Sequence, residues 1–168
     1  MIITIILMVN KIQSIEIDTK LDIREVWKMT VGVEAIFVNL PVKDLTKSMN
    51  FFKALGFKFN EEFTDNKGAN MIISDSIFVM LLTEEFFTSF THLGITDTSK
   101  ENEAIIALQV KSKDAVDELV NTALANGAED KTTALSDEEE AMMFYRRFKD
   151  LDGHLWEIMY MDMSAMDI

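Results

Sequence analysis

Glu157 is the side chain of this sequence best placed for acid–base chemistry. It lies in an apolar stretch, Leu155-Trp156-Glu157-Ile158-Met159, that follows the turn residues Asp150-Leu151-Asp152-Gly153. A carboxylate walled by apolar groups keeps its charge only at a cost unless a cation answers it, and a group so held suits general acid or base work. Arg146-Arg147 reads as a strand pair whose members point to opposite sides, so one of the two can supply that cation. An ion pair that ties strands together is the simpler expectation for Glu157, and catalysis is the sharper one. His154 stands three residues before Glu157, so on a strand the two face opposite sides and do not share an ion. His92 reads as a solvated loop residue. With no cysteine, disulfides, thiol nucleophiles and zinc–thiolate sites are excluded. Glu138-Glu139-Glu140 reads as a solvated run and Asp152-Gly153 as turn chemistry. No glycine-rich nucleotide signature or Ser/His/Asp arrangement is present.

The elements that must position these residues occur twice. Leu40-x-Val42-Lys43 recurs as Leu108-x-Val110-Lys111, Gly56 as Gly127, and the apolar strand after Asp75-Ser76 as the one after Asp152-Gly153. The offsets are about 68, 71 and 77 residues, so the copies keep their order and differ by loop length. In the first copy, a strand over 34–42 leads to a helix capped by Asp44, with Leu45, Met49, Phe52 and Leu55 at helical spacing and a stop at Gly56. A strand over 57–63 follows, then a turn at 65–68 and a hairpin of 71–74 and 77–82. In the second copy, a strand over 104–110 precedes a helix capped by Ser112 and closed by Asn126-Gly127. A short strand near 129–132 and a hairpin of 142–148 and 154–160 complete it. The connector between the copies holds a short helix over 84–90, with Phe86, Phe87 and Phe90 on its inner side.

The fold expected is α+β: tandem βαβββ units forming a curved mixed sheet around a central cavity, with the helices on the outer face. The domain spans 31–163, with units at about 33–83 and 103–162. Residues 1–30 belong to neither copy and read as an appended extension, with Met29 an alternative start. The opening apolar run of Met1 to Val9 is too short to span a bilayer and lacks the features of a secretory signal. Acids outnumber bases 29 to 16, a net charge of −13, which argues against nucleic acid as a partner. A cytoplasmic location without membrane contact is expected.

The stretches Phe37-Val38-Asn39-Leu40-Pro41-Val42-Lys43-Asp44-Leu45, Asn50-Phe51-Phe52 through Leu55-Gly56-Phe57, and Asp150 through Ile158 resemble the vicinal-oxygen-chelate superfamily. That superfamily includes glyoxalase I, bleomycin-resistance proteins and extradiol dioxygenases. The resemblance covers roughly 33–162. It implies a trough that in many members holds a divalent metal on His, Glu or Gln side chains of the first and last strands of each unit. Those positions fall here on Phe37, Met80, Ile105 and Glu157. One carboxylate beside Phe, Met and Ile does not make a coordination shell, so no metal ligand and no cofactor is assigned.

Strand alternation gives the trough lining. Phe37, Asn39, Phe78, Met80, Ile105, Gln109 and Glu157 should face the cavity, and Tyr145 and Arg147 (or Phe144 and Arg146) should reach it from the neighbouring strand. Val38, Leu40, Val79, Leu81, Ile106, Leu108, Trp156 and Ile158 should pack under the helices. Apolar walls with a few orienting groups suit a small, partly apolar ligand. The leading expectation is thus a metal-free small-molecule-binding protein, such as sequestration of the bleomycin-resistance kind. One alternative is a metal-dependent lyase or dioxygenase of the glyoxalase type with shifted ligands, for which Asn39, Gln109, Glu103 and Glu34 are nearby donors and a divalent metal the cofactor. Another is a non-enzymatic interaction protein. A homodimer is expected, since exposed sheet edges invite pairing.

Overall fold

The structure, a computed structural model, describes residues 32–134, 136 and 143–161. The extension over 1–30, Met29 and the Glu138-Glu139-Glu140 run lie outside the described residues. The first copy contains β1 (Ile36–Val42), α1 (Leu45–Ala54), β2 (Lys58–Asn60), β3 (Gly68–Ile72) and β4 (Ile77–Thr83). A short helix, α2 (Glu84–Thr88), opens the connector. The second copy contains β5 (Ile105–Gln109), α3 (Lys113–Ala125), β6 (Glu129–Asp130), β7 (Met143–Lys149) and β8 (Leu155–Met161). The duplicated βαβββ plan read from the sequence is the plan observed.

The local signals act as their chemistry requires. The Asp44 carboxylate accepts from the Lys47 amide, and the Ser112 hydroxyl from the Ala115 amide, each satisfying a free N–H of a first helical turn. Gly56 and Gly127, which follow the two helices, have φ of +94° and +101°. The second strand is shorter than expected. Asn60 caps a turn of 3-10 helix over Glu61–Phe63 by accepting from the Glu62 amide, and this local bond replaces a strand ladder. Phe90 also departs from expectation. Helix α2 ends at Thr88, and Phe90 lies beyond it, 69 % exposed, with its ring edge-on to Phe86.

The strands do not join into one curved sheet. They form two four-stranded sheets, ordered β1-β4-β3-β2 and β5-β8-β7-β6. Each has one parallel pair, β1 with β4 and β5 with β8, and otherwise antiparallel neighbours. Each copy satisfies its backbone bonds within its own sheet, which leaves β1 and β5 as edges.

One apolar core serves both sheets. Leu40, Val79 and Leu81 enter it from the first sheet, Trp156, Ile158 and Phe148 from the second, and Phe51, Phe52, Val116 and Val120 from the helices. Helix α1 crosses between the copies: Phe52 packs on Trp156 at 5.2 Å between ring centroids, and Phe51 on Phe148 at 6.2 Å. Trp156 and Phe148 are stacked within 10° of parallel. Such pairs add to the free energy of burying the rings themselves. Trp156 is therefore a core residue, as the alternation predicted.

The turn at 150–154 carries more than turn chemistry. Asp152 reaches into the first copy, where its carboxylate accepts from the Lys43 amide at 2.9 Å and from the Ser48 hydroxyl at 2.6 Å. His154, 1 % exposed, meets the Pro41 carbonyl through Nε2 at 2.8 Å and Glu103 through Nδ1. Asp150 organises the turn itself by accepting from the amides of Asp152 and His154 and from the Trp156 indole N–H. Gly153 has φ of +88°, and a Cβ there would lie 2.5 Å from the Thr98 hydroxyl, so only glycine fits. Thr98 in turn donates to the Asp152 carbonyl, which fastens the connector to the turn.

Burial pushes the Asp150 carboxyl above its ordinary value, against the pull of His154 and of its own hydrogen bonds. Burial also opposes a charge on His154, but the Asp150 charge and the hydrogen bonds to Glu103 and Pro41 outweigh it and raise the ring above the ordinary 6.5.

Two outcomes follow for stability. Asp152→Ala strands the Lys43 amide and leaves the buried Ser48 hydroxyl only the Asp44 carbonyl at 3.1 Å, and should cost about 2 kcal/mol in urea unfolding; a loss under about 0.5 kcal/mol would remove Asp152 from this role. His154 binds its proton more tightly folded than unfolded. Its contribution is complete below the ordinary histidine value and is lost as pH rises through the higher folded value. Stability of the wild type relative to His154→Gln should therefore fall as pH rises above the ordinary histidine value of 6.5, and a flat difference would contradict the assignment.

Candidate functional site

The faces turned away from the core are the predicted trough faces. On the first sheet the register sets Phe37 beside Phe78, and Asn39 beside Met80. On the second it sets Ala107 beside Glu157, Arg147 beside Glu157, and Tyr145 and Gln109 beside Met159. Directly paired residues share a face, so the expected lining residues lie on the sheet faces turned away from the core. The choice between Tyr145/Arg147 and Phe144/Arg146 resolves to the former. Arg146 turns the other way and meets Asp117 at 3.0 Å and Asn121 at 2.8 Å on α3.

The nine residues form two sets on separate sheets. Phe37, Asn39, Phe78 and Met80 make one set; Ile105, Gln109, Tyr145, Arg147 and Glu157 make the other. Each face is exposed at its edge strand, with Phe37 53 % exposed and Ile105 42 %, whereas Tyr145 is buried. The Phe37 and Phe78 rings stack at 5.0 Å. A cleft of about 730 Å³ lies on the first sheet, between Asn39, Met80 and Leu82 and the aromatic side chains of Phe86, Phe87 and Phe90. Its lining draws on the first copy and the connector alone.

Glu157 is answered by a cation. Arg147 donates to its Oε2 through Nε at 2.6 Å, with Nη2 at 2.5 Å from the same oxygen. The pair is largely sheltered, with side-chain exposures of 20 % and 13 %. The guanidinium lies 4.5 Å from the centre of the Tyr145 ring, and Thr133 touches both the Arg147 Nη1 and the Tyr145 hydroxyl. Charge-assisted bonds of this geometry hold both partners firmly. The floor of the second sheet is thus a neutralised ion pair backed by a ring.

Among the described residues, no three His, Cys, Asp or Glu side chains converge as an ion site would need. The residues at the four family ligand positions do not fit a divalent ion, since Phe37, Met80 and Ile105 offer no oxygen or nitrogen donor and Glu157 is engaged by Arg147. Glu103, a donor weighed for a shifted site, is taken by His154. Asn39 donates weakly to the Phe37 carbonyl at 3.5 Å.

Sequence reasoning missed Thr133, whose role needs the 129–134 segment folded back on β7, and it missed Asn70. Asn70 pairs with Met80 from β3, beside the expected lining, and is 5 % exposed. Its signal was available as a polar residue inside the apolar Ala69-Asn70-Met71 stretch.

The profile of the Glyoxalase/Bleomycin resistance protein/Dioxygenase superfamily matches residues 35–158. Among curated proteins none matches the chain. Solved structures are similar in fold. A hypothetical protein from S. aureus is 29 % identical, with a TM-score of 0.64, and covers 80 % of this chain and 98 % of its own. A family enzyme from Burkholderia phytofirmans PsJN is 17 % identical, with a TM-score of 0.61 and coverage of 75 % and 97 %. The genomically encoded fosfomycin resistance protein FosX from Listeria monocytogenes is 25 % identical, with a TM-score of 0.54 and coverage of 80 % and 94 %. The matched residues include both copies of the repeat and the 150–154 turn, and on that ground the chain belongs to the glyoxalase/bleomycin resistance protein/dioxygenase superfamily.

Proposed function

We propose that this protein binds a small, partly apolar molecule on its trough faces without a metal ion, as a homodimer. The observation that carries the reading is the Arg147–Glu157 pair. The one carboxylate left at a family ligand position is already neutralised, and an entering divalent cation would have to displace a guanidinium bonded through two nitrogens. The rest of the two faces is largely apolar, with isolated polar points at Asn39 and Gln109, the composition of a small-molecule site. The likeness to a fosfomycin resistance protein supports a small molecule as ligand. Sequestration fits these faces better than catalysis, because the Glu157 carboxylate is engaged by Arg147.

The dimer reading rests on exposed apolar surface. Ile36 and Phe37 on the β1 edge and Ile105 on the β5 edge are 54 %, 53 % and 42 % exposed. Large rings and branched chains left bare along sheet edges favour association over hydration. Among the described residues, no helix is long and apolar enough to cross a membrane.

Two measurements test this reading. Purified protein incubated with Ni²⁺, Zn²⁺, Mn²⁺ or Fe²⁺ and then desalted should retain well under one equivalent of any of them; stoichiometric retention would overturn the metal-free assignment and favour a shifted-ligand enzyme. In sedimentation, the wild type should run as a dimer and Phe37→Glu as a folded monomer. A monomeric wild type would refute the dimer.

A further inference from the structure

The trough side of the first sheet holds a buried polar atom that nothing in the fold explains. Asn39 on β1 and Asn70 on β3 both pair with Met80 on β4, so the three side chains form a row across that face. Asn70 is 5 % exposed, and its Oδ1 finds no hydrogen-bond donor among the described residues. A buried amide oxygen left without a donor is costly, and native folds hold few of them.

Two clefts lie against Met80, the residue paired with Asn70 on this face. The 730 Å³ cleft has Asn39, Met80 and Leu82 as its floor and Phe86, Phe87 and Phe90 as its wall. A smaller one of about 210 Å³ lies between Met80, Gly68 and the 62–65 segment. Met80 and Phe86 line both. Thr64, in the wall of the smaller cleft, accepts from the Asn70 backbone N–H at 3.3 Å, and Gly68, two residues before Asn70 on the same face of β3, lines that cleft. Met80 is thus the partition, and an unbranched thioether side chain adapts readily to a neighbour. No charged side chain lines the larger cleft. At the rim, charges of both signs occur: Lys67 stands 5.9 Å from the Phe86 ring centre, with Glu62 and Asp65 close by.

We propose that this end of the trough binds a neutral apolar ring molecule bearing one N–H or O–H group. The ring lies against Met80, Phe86 and Phe87, and the polar hydrogen is donated to Asn70 Oδ1 as the Met80 side chain moves aside. The proposal deepens the function given above. It rests on that function only in taking the trough side as a small-molecule surface.

Indole and indene test it, because the two share ring size and shape and only indole carries an N–H. Each is titrated into the full-length ¹⁵N-labelled protein and followed by NMR. Indole should bind roughly tenfold more tightly, the worth of one buried hydrogen bond, and should shift the Asn39 and Asn70 side-chain amides and the Met80 and Phe86 backbone amides. Asn70→Leu should abolish the preference while indene binding persists. The wild-type comparison decides the matter even without that variant. Equal affinities, no binding of either probe, or shifts confined to Tyr145, Arg147 and Glu157 would each overturn the proposal. The last of these would leave the general small-molecule reading standing, whereas stoichiometric metal retention would sink that reading without touching the indole–indene ratio.

Discussion

The structure depends on one carboxylate that reaches across the duplication. Asp152 belongs to the closing turn of the second copy, yet it accepts hydrogen bonds from an amide and a hydroxyl of the first. His154 makes a parallel crossing to the Pro41 carbonyl. Between these polar contacts and the rings of α1 packed on Trp156 and Phe148, the two copies share one interior. A repeat unit of this size would otherwise leave one side of its helix bare. The crossing bonds fix how α1 meets β8, and β8 carries Glu157 on its reverse face. Burial of the core side of that strand thereby orients the trough side.

Much of this was legible in the residues. Caps at Asp44 and Ser112, stops at Gly56 and Gly127, and alternation along β1, β4, β5 and β8 are local signals, and they placed each element within a few positions. Alternation also sorted the lining residues from the core residues, since side-chain direction on a strand is a matter of parity. Less legible was anything set by sequence-distant partners. That Asp152 does more than turn the chain depends on Ser48, and the burial of Asn70 depends on the segment folded over it. Alternation likewise gives the face of a strand but not which edges find each other.

The residues of the trough sides lie apart from those that hold the fold together. Phe37, Met80 and Ile105 are on the sheet faces opposite the core, so their identity leaves the interior untouched. The remaining acid is stabilised by a neighbouring strand: Arg147 answers Glu157 directly across the β7–β8 ladder, where paired residues meet at close range.

The burial of Trp156 has an optical consequence. Its indole is stacked on Phe148, touches Phe52 of the other copy, and donates to Asp150 in the turn that joins the copies. A single chromophore thus senses the aromatic interior and the polar seam together, and loosening at either place would alter its emission. The chain's other tryptophan is Trp27, so a Trp27→Phe protein would carry a single tryptophan, located where the halves meet.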